Sequence, residues 1–98
     1  MPRLTRAPQK LVTEVYPNPT NGPVSIRLNL PEAGRVEVVI TDASGQQVAE
    51  PVQLNFTAGA STFPMSLEQL SSGVYMLNIQ YFDNKKLVVH RHKVVIAH

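Results

Sequence analysis

From Leu11 onward, apolar and polar residues alternate in short runs and do not recur at helical spacing. In VSIRLNL, Val24, Ile26, Leu28 and Leu30 share one face of an extended segment, and Ser25, Arg27 and Asn29 share the other. VEVVI likewise turns Val36, Val38 and Ile40 inward. Residues 48–54 offer Val48, Val52 and Leu54, with Pro51 implying an edge position or a bulge, because proline cannot donate to a ladder. Phe63, Met65 and Leu67 alternate with Thr62, Pro64 and Ser66. In GVYMLNIQYF the stripe is Tyr75, Leu77, Ile79 and Tyr81; the opposite side carries Val74 and Met76, which predicts a well-covered central strand. Leu11–Tyr16 and a last segment from about Lys86 to Ala97 bring the count to seven strands. In the last one the phase is open: Val94 and Ile96 share a face with His90 and His92, and Val89 and Val95 share one with Lys93.

Turn chemistry divides these segments. The five glycines lie at 22, 34, 45, 59 and 73, inside PTNG, PEAG, DASG, FTAG and LSSG, and Asp83-Asn84 suits a type I′ hairpin. Such spacing accommodates strands but no long helix, and predicts an antiparallel sandwich or barrel. SLEQL, residues 66–70, could form one helical turn, yet so few residues make no stable helix. It is expected to connect two strands, with Leu67 or Leu70 tucked into the core. VYPNPTNG, residues 15–22, stops a strand abruptly: Pro17 and Pro19 lack amide protons, and Asn18, Asn21 and Gly22 tolerate tight turns. It reads as a rigid corner, preferred over a direct contact for a partner.

Ninety-eight residues with 43% hydrophobic content imply one domain with a packed core. MPRLTRAPQK has no periodicity, so residues 1–11 are expected to be a lead-in and 12–98 the domain. No apolar run is long enough for a membrane helix, and no signal peptide is visible; an export signal, if there is one, is expected on a longer parent chain. The absence of cysteine removes disulfides, cysteine–zinc sites and thiol nucleophiles. The net charge of +2 is uneven: residues 1–10 and 83–98 carry +3 each, and the middle carries −4. Its basic ends lack interleaved aromatics or dense arginine, so nucleic acid is not expected as a partner.

Catalytic chemistry is hard to assemble from these residues. The acids Glu14, Glu32, Glu37, Asp42, Glu50 and Glu68 are scattered, the serines sit mainly in turn clusters, and G-x-S-x-G, GxGxxG and P-loop patterns are absent. His90 and His92 project from one strand face, and His98 could add a third ligand, but no carboxylate is near in sequence and the pair also fits a solvent-facing strand. No metal or cofactor is assigned. Asp42 and Gly45 suit the first and last positions of a type I turn, and Tyr75 is expected in the core with its hydroxyl reaching a backbone acceptor. Pattern alone ends at a small β-sandwich without a function.

VYPNPTNG, DASGQQV, LSSGVYMLNI and the closing KVVI run, taken in order, resemble the C-terminal sorting domain of type IX secretion, type A, from about Val12 to Ile96. Pro17, Asn18, Pro19 and Gly22 match the opening motif, Asp42 and Gly45 the middle turn, Gly73 and Tyr75 the Gly-x-Tyr motif, and Lys93, Val94, Val95 and Ile96 the terminal stretch. The ending Ala97-His98 departs from members that stop soon after the lysine–valine run or add a lysine. The resemblance implies a seven-stranded antiparallel immunoglobulin-like β-sandwich, all-β and non-enzymatic. It implies a cargo domain N-terminal to it, carried through the periplasm and the outer-membrane translocon of a Gram-negative bacterium to the cell surface or medium. A sortase-type peptidase then removes the domain, with release of the cargo or its attachment to lipopolysaccharide. No direct membrane insertion is expected, and weak self-association is compatible with it.

Under this resemblance Lys93–Ile96 are credited with translocon engagement. A last strand at a sheet edge could accept a partner strand through unpaired amides and carbonyls, with Lys93 adding electrostatic orientation. Equally, Val94–Ile96 could simply complete the core and Lys93 guard against aggregation, since both roles demand the same residue types. The rival function is an accessory fibronectin-like or carbohydrate-binding module of a secreted enzyme. Against it, the chain has no tryptophan, and most of its aromatics fall on expected core stripes.

Overall fold

Seven strands follow one another in the computed structural model, which describes residues 11–82 and 86–98. They are β1 (Val12–Tyr16), β2 (Pro23–Leu30), β3 (Gly34–Asp42), β4 (Val52–Phe56), β5 (Gly59–Ser66), β6 (Gly73–Phe82) and β7 (Leu87–Ile96), with no helix among the described residues. β1-β2-β5 form a three-stranded sheet and β4-β3-β6-β7 a four-stranded one, every strand pairing antiparallel. This is an immunoglobulin-like sandwich. Residues 1–10 of the expected 1–11 lead-in, and Asp83-Asn84, where a hairpin turn was expected, lie outside the described residues.

Alternation determines what is buried. Val24, Ile26, Leu28 and Leu30 of β2 face Val36, Val38 and Ile40 of β3 and Tyr75, Leu77, Ile79 and Tyr81 of β6, all nearly or fully removed from water. Each aliphatic side chain so buried contributes roughly 1.5–3 kcal/mol. Leu11, at the end of the expected lead-in, is part of this core. The margins of the two sheets are closed by side chains. Phe56 of β4 meets Phe63 of β5 with ring centroids 5.5 Å apart, and Thr13 of β1 meets two histidines of β7 on the opposite side.

Several elements differ from the sequence pattern. The fourth strand begins at Val52, four residues later than the alternation suggested. Val48 instead donates to the carbonyl of Ile40, which closes the turn after β3, and Pro51 cannot extend a ladder. Leu54 remains 38% exposed because β4 is the margin of the wider sheet. SLEQL forms a turn in which both leucines are buried; Leu67 donates to Gly22 O and Leu70 to Leu67 O. Although β6 is central, its outer face is not covered: Val74 is 45% exposed.

Candidate functional site: the terminal strand and its clasp

β7 pairs with β6 over its whole length, from Phe82↔Leu87 to Gly73↔Ile96, and has no strand on its other side among the described residues. The phase left open by the sequence is now fixed. Val94 and Ile96 point inward and are 0% and 1% exposed, with the side chains of His90 and His92 on the same face, whereas Lys93 and Val95 point outward with Val89. The four residues of the terminal motif therefore divide in two. Val94 and Ile96 complete the core, and Lys93 and Val95 lie on the outer surface.

The edge of β7 is already occupied at this end. Asn18 Nδ2 donates to Lys93 O at 2.7 Å, and Asn18 Oδ1 accepts from Val95 N at 2.9 Å. Thr20 N then donates to Val95 O at 2.9 Å, and Ala97 N donates to Thr20 O at 2.8 Å, so that Thr20 forms a parallel bridge with Ile96. The chain thus leaves the three-stranded sheet after β1 and crosses to the margin of the four-stranded one. Tyr16-Pro17 and Asn18-Pro19, the two peptide bonds at this crossing, are both cis. VYPNPTNG is a corner, and it is also a clasp on the terminal strand. Strand addition at Lys93–Ile96, open in principle from the sequence, meets backbone groups that are already bonded.

Thr20 was not singled out by its sequence context, yet it is buried and satisfied twice over: its hydroxyl donates to Pro23 O at 2.6 Å and accepts from Gly22 N at 3.1 Å. The only available sign was a β-branched hydroxyl residue inside a turn cluster, a local hydrogen-bonding type. Gly22 has φ +143°, and a Cβ there would come within 3.1 Å of the Glu68 backbone. That close approach is why the opening motif needs glycine.

The remaining motif residues hold turns. Asp42 Oδ1 accepts from Ser44 N, Ser44 Oγ and Gln46 N, while Gly45 N donates to Asp42 O, as expected for a type I turn. The Ser44 hydroxyl first, and then the Gln46 amide, hold the Asp42 carboxyl below its ordinary range. The Tyr75 hydroxyl donates to Ser71 O at 2.8 Å, tying β6 to the turn before it. Replacing Tyr75 with Phe is expected to lower stability by about 1 kcal/mol without changing the fold, read as a lower urea midpoint at constant slope.

The three histidines do not gather. His98 lies against the turn before β6, its amide donating to Ser72 Oγ and its Nε2 bonded to Leu70 O. His90 Nδ1 and His92 Nε2 lie 2.9 and 2.6 Å from the Thr13 hydroxyl. That hydroxyl has one proton, so it can donate to only one ring. Burial first, and the neighbouring His90 second, push the pKa of His92 down. The unfolded chain therefore takes up protons before the folded one as pH falls below about 6.5. Stability is full above that pH, declines on acidification and levels out below the folded-state value. Melting temperatures recorded across this window should fall less steeply for His92→Gln. Asp42 acts separately, because its lowered value places its loss below 3.8.

The outer face of the four-stranded sheet holds a shallow depression of about 580 Å³, lined among others by Val39, Val74, Met76, Val89 and Arg91. Taken together, fold and site define a class: an immunoglobulin-like module whose motif residues close turns and fasten its last strand. The chain belongs to the secretion system C-terminal sorting domain family, whose model matches residues 14–97. It is thus a C-terminal sorting signal of type IX secretion. Nothing in that match supports the accessory binding-module alternative. No curated protein matches the chain.

Proposed function

We propose that this domain directs an N-terminal cargo through the type IX outer-membrane translocon and is then removed by a sortase-type peptidase cutting in the lead-in. The cargo passes through the periplasm and ends on the cell surface, with lipopolysaccharide attached, or in the medium. The domain itself performs no chemistry. The single observation that carries this function is the family match across residues 14–97.

Within the terminal motif, Lys93 and Val95 are the residues a translocon reads, and Val94 and Ile96 act through the fold. Supporting this division, Lys93 is exposed and Val95 half-buried on the outer face, whereas the other two are inaccessible to a partner. The test is a cargo fusion carrying Lys93→Glu with Val95→Thr, compared with the parent fusion for secreted fraction and melting temperature. The expected result is loss of secretion with melting unchanged. Normal secretion by this double variant would remove the direct role of Lys93 and Val95. Normal secretion after deleting residues 12–98 would remove the sorting function itself.

A further inference from the structure

The clasp covers one half of the β7 edge and leaves the other half open. In an antiparallel ladder, backbone groups of alternate residues turn to the same side. The bonds at Lys93 O and at Val95 N and O mark the odd-numbered residues as the ones that turn away from β6. Leu87, Val89 and Arg91 follow in the same phase, and none of their backbone groups has a partner among the described residues. β1 does not fill this space, since Thr13 reaches β7 through the side chains of His90 and His92 on the inner face.

The side chains along this open edge have a distinct order. Leu87 and Val89 are 50% and 40% exposed, and Arg91 follows, its Nε donating to Asn78 Oδ1 at 3.1 Å across the same outer face. Lys93 extends the cationic end. We propose that Leu87–Arg91 is a docking edge for an extended segment of a partner protein, which adds a fifth strand to the four-stranded sheet and sets apolar side chains beside Leu87 and Val89 and a carboxylate beside Arg91. Main-chain bonds supply affinity in this mode, and alternate side chains supply selectivity. An antiparallel occupant reads acidic-x-apolar-x-apolar. A second copy of this chain is a poorer occupant, because antiparallel self-pairing about Val89 sets Leu87 beside Arg91 and supplies no carboxylate there. The surface is distinct from the Lys93 and Val95 pair, and it stands whether or not those two residues direct export.

Strand addition here has a backbone signature that a side-chain patch lacks. Val89→Pro removes an outward amide without breaking any bond to β6, so the fold tolerates it on an edge. The probe is the blocked peptide Thr-Asp-Thr-Val-Thr-Val-Thr, titrated into the whole chain and followed by amide NMR and hydrogen exchange. The Val89 and Arg91 amides should exchange rapidly in the free chain and slow down as the peptide saturates. Binding should weaken about tenfold or more in Val89→Pro, and Arg91→Glu should prefer the same peptide with Lys in place of Asp. Should Val89→Pro fail to melt cooperatively, the charge reversal carries the test alone. The proposal is overturned by protection of these amides in the free chain or by absence of saturable shifts at millimolar peptide. Equal binding by a folded Val89→Pro chain, or self-pairing of copies along this edge, would overturn it as well.

Discussion

Ending the chain at His92 is expected to unfold the domain, not to give a folded tail that merely lacks its signal. The deletion removes Val94 and Ile96, both essentially inaccessible to water, whose burial contributes roughly 3–6 kcal/mol together. It also strips β6 of its partner from Gly73 to Met76 and leaves Asn18 and Thr20 without the backbone groups they hold. A domain of this size is stable by only about 5–15 kcal/mol in all. Circular dichroism on heating should show a greatly weakened or absent cooperative transition. A truncated chain that melts cooperatively near the parent temperature would mean that the terminal segment is a removable label. The consequence for export assays is direct: failure of a truncated cargo to leave the cell reports unfolding as readily as lost recognition. Substitutions at the outward-facing Lys93 and Val95 avoid that confusion.

What the sequence made legible was local. Alternation at Val24–Leu30, Val36–Ile40 and Tyr75–Tyr81 assigns faces because successive residues of a strand point to opposite sides, whatever the strand pairs with. The glycine and asparagine turns are equally local, and Asp42 with Gly45 behaves as its turn type demands. Partnership between distant segments was not legible. Asn18 and Val95 are separated by 77 positions, and nothing in either neighbourhood announces the other. The motif residues of the opening and closing stretches could be named separately, but not that one holds the other.

Two smaller differences have the same origin. Val48 looked like the first inward residue of a strand because its parity agrees with Val52 and Leu54, yet its amide closes the preceding turn onto Ile40. Local periodicity cannot distinguish a strand residue from a turn residue that bonds backward. The apolar outer positions Val74 and Met76 suggested that β6 was covered on both sides, but a two-layer sandwich has no third layer to cover them. What the alternation records is half-burial on a sheet, not a second covering layer.

Asn18→Ala provides the second large effect, because one side chain satisfies both a donor and an acceptor of β7. Losing the bonds to Lys93 O and Val95 N is expected to lower stability by about 1–2 kcal/mol, toward the low end for two bonds because both lie at the surface. The backbone consequence is more specific than the energy. The Val95 amide, protected by Asn18 Oδ1, should exchange markedly faster in the alanine variant, while the Val94 and Ile96 amides, on the β6 side of the strand, remain slow. Asn18→Asp separates the two contacts. It keeps an oxygen for Val95 N but sets a carboxylate against the Lys93 carbonyl, so Val95 protection should largely survive while stability still falls. A plain corner makes the opposite forecast: with Pro17 and Pro19 in place, removing the Asn18 amide would cost only a few tenths of a kcal/mol, as at an ordinary surface position, and would leave Val95 exchange unchanged. Faster exchange confined to the outward-facing amides of β7 would identify the opening motif as the structure that keeps the terminal edge closed.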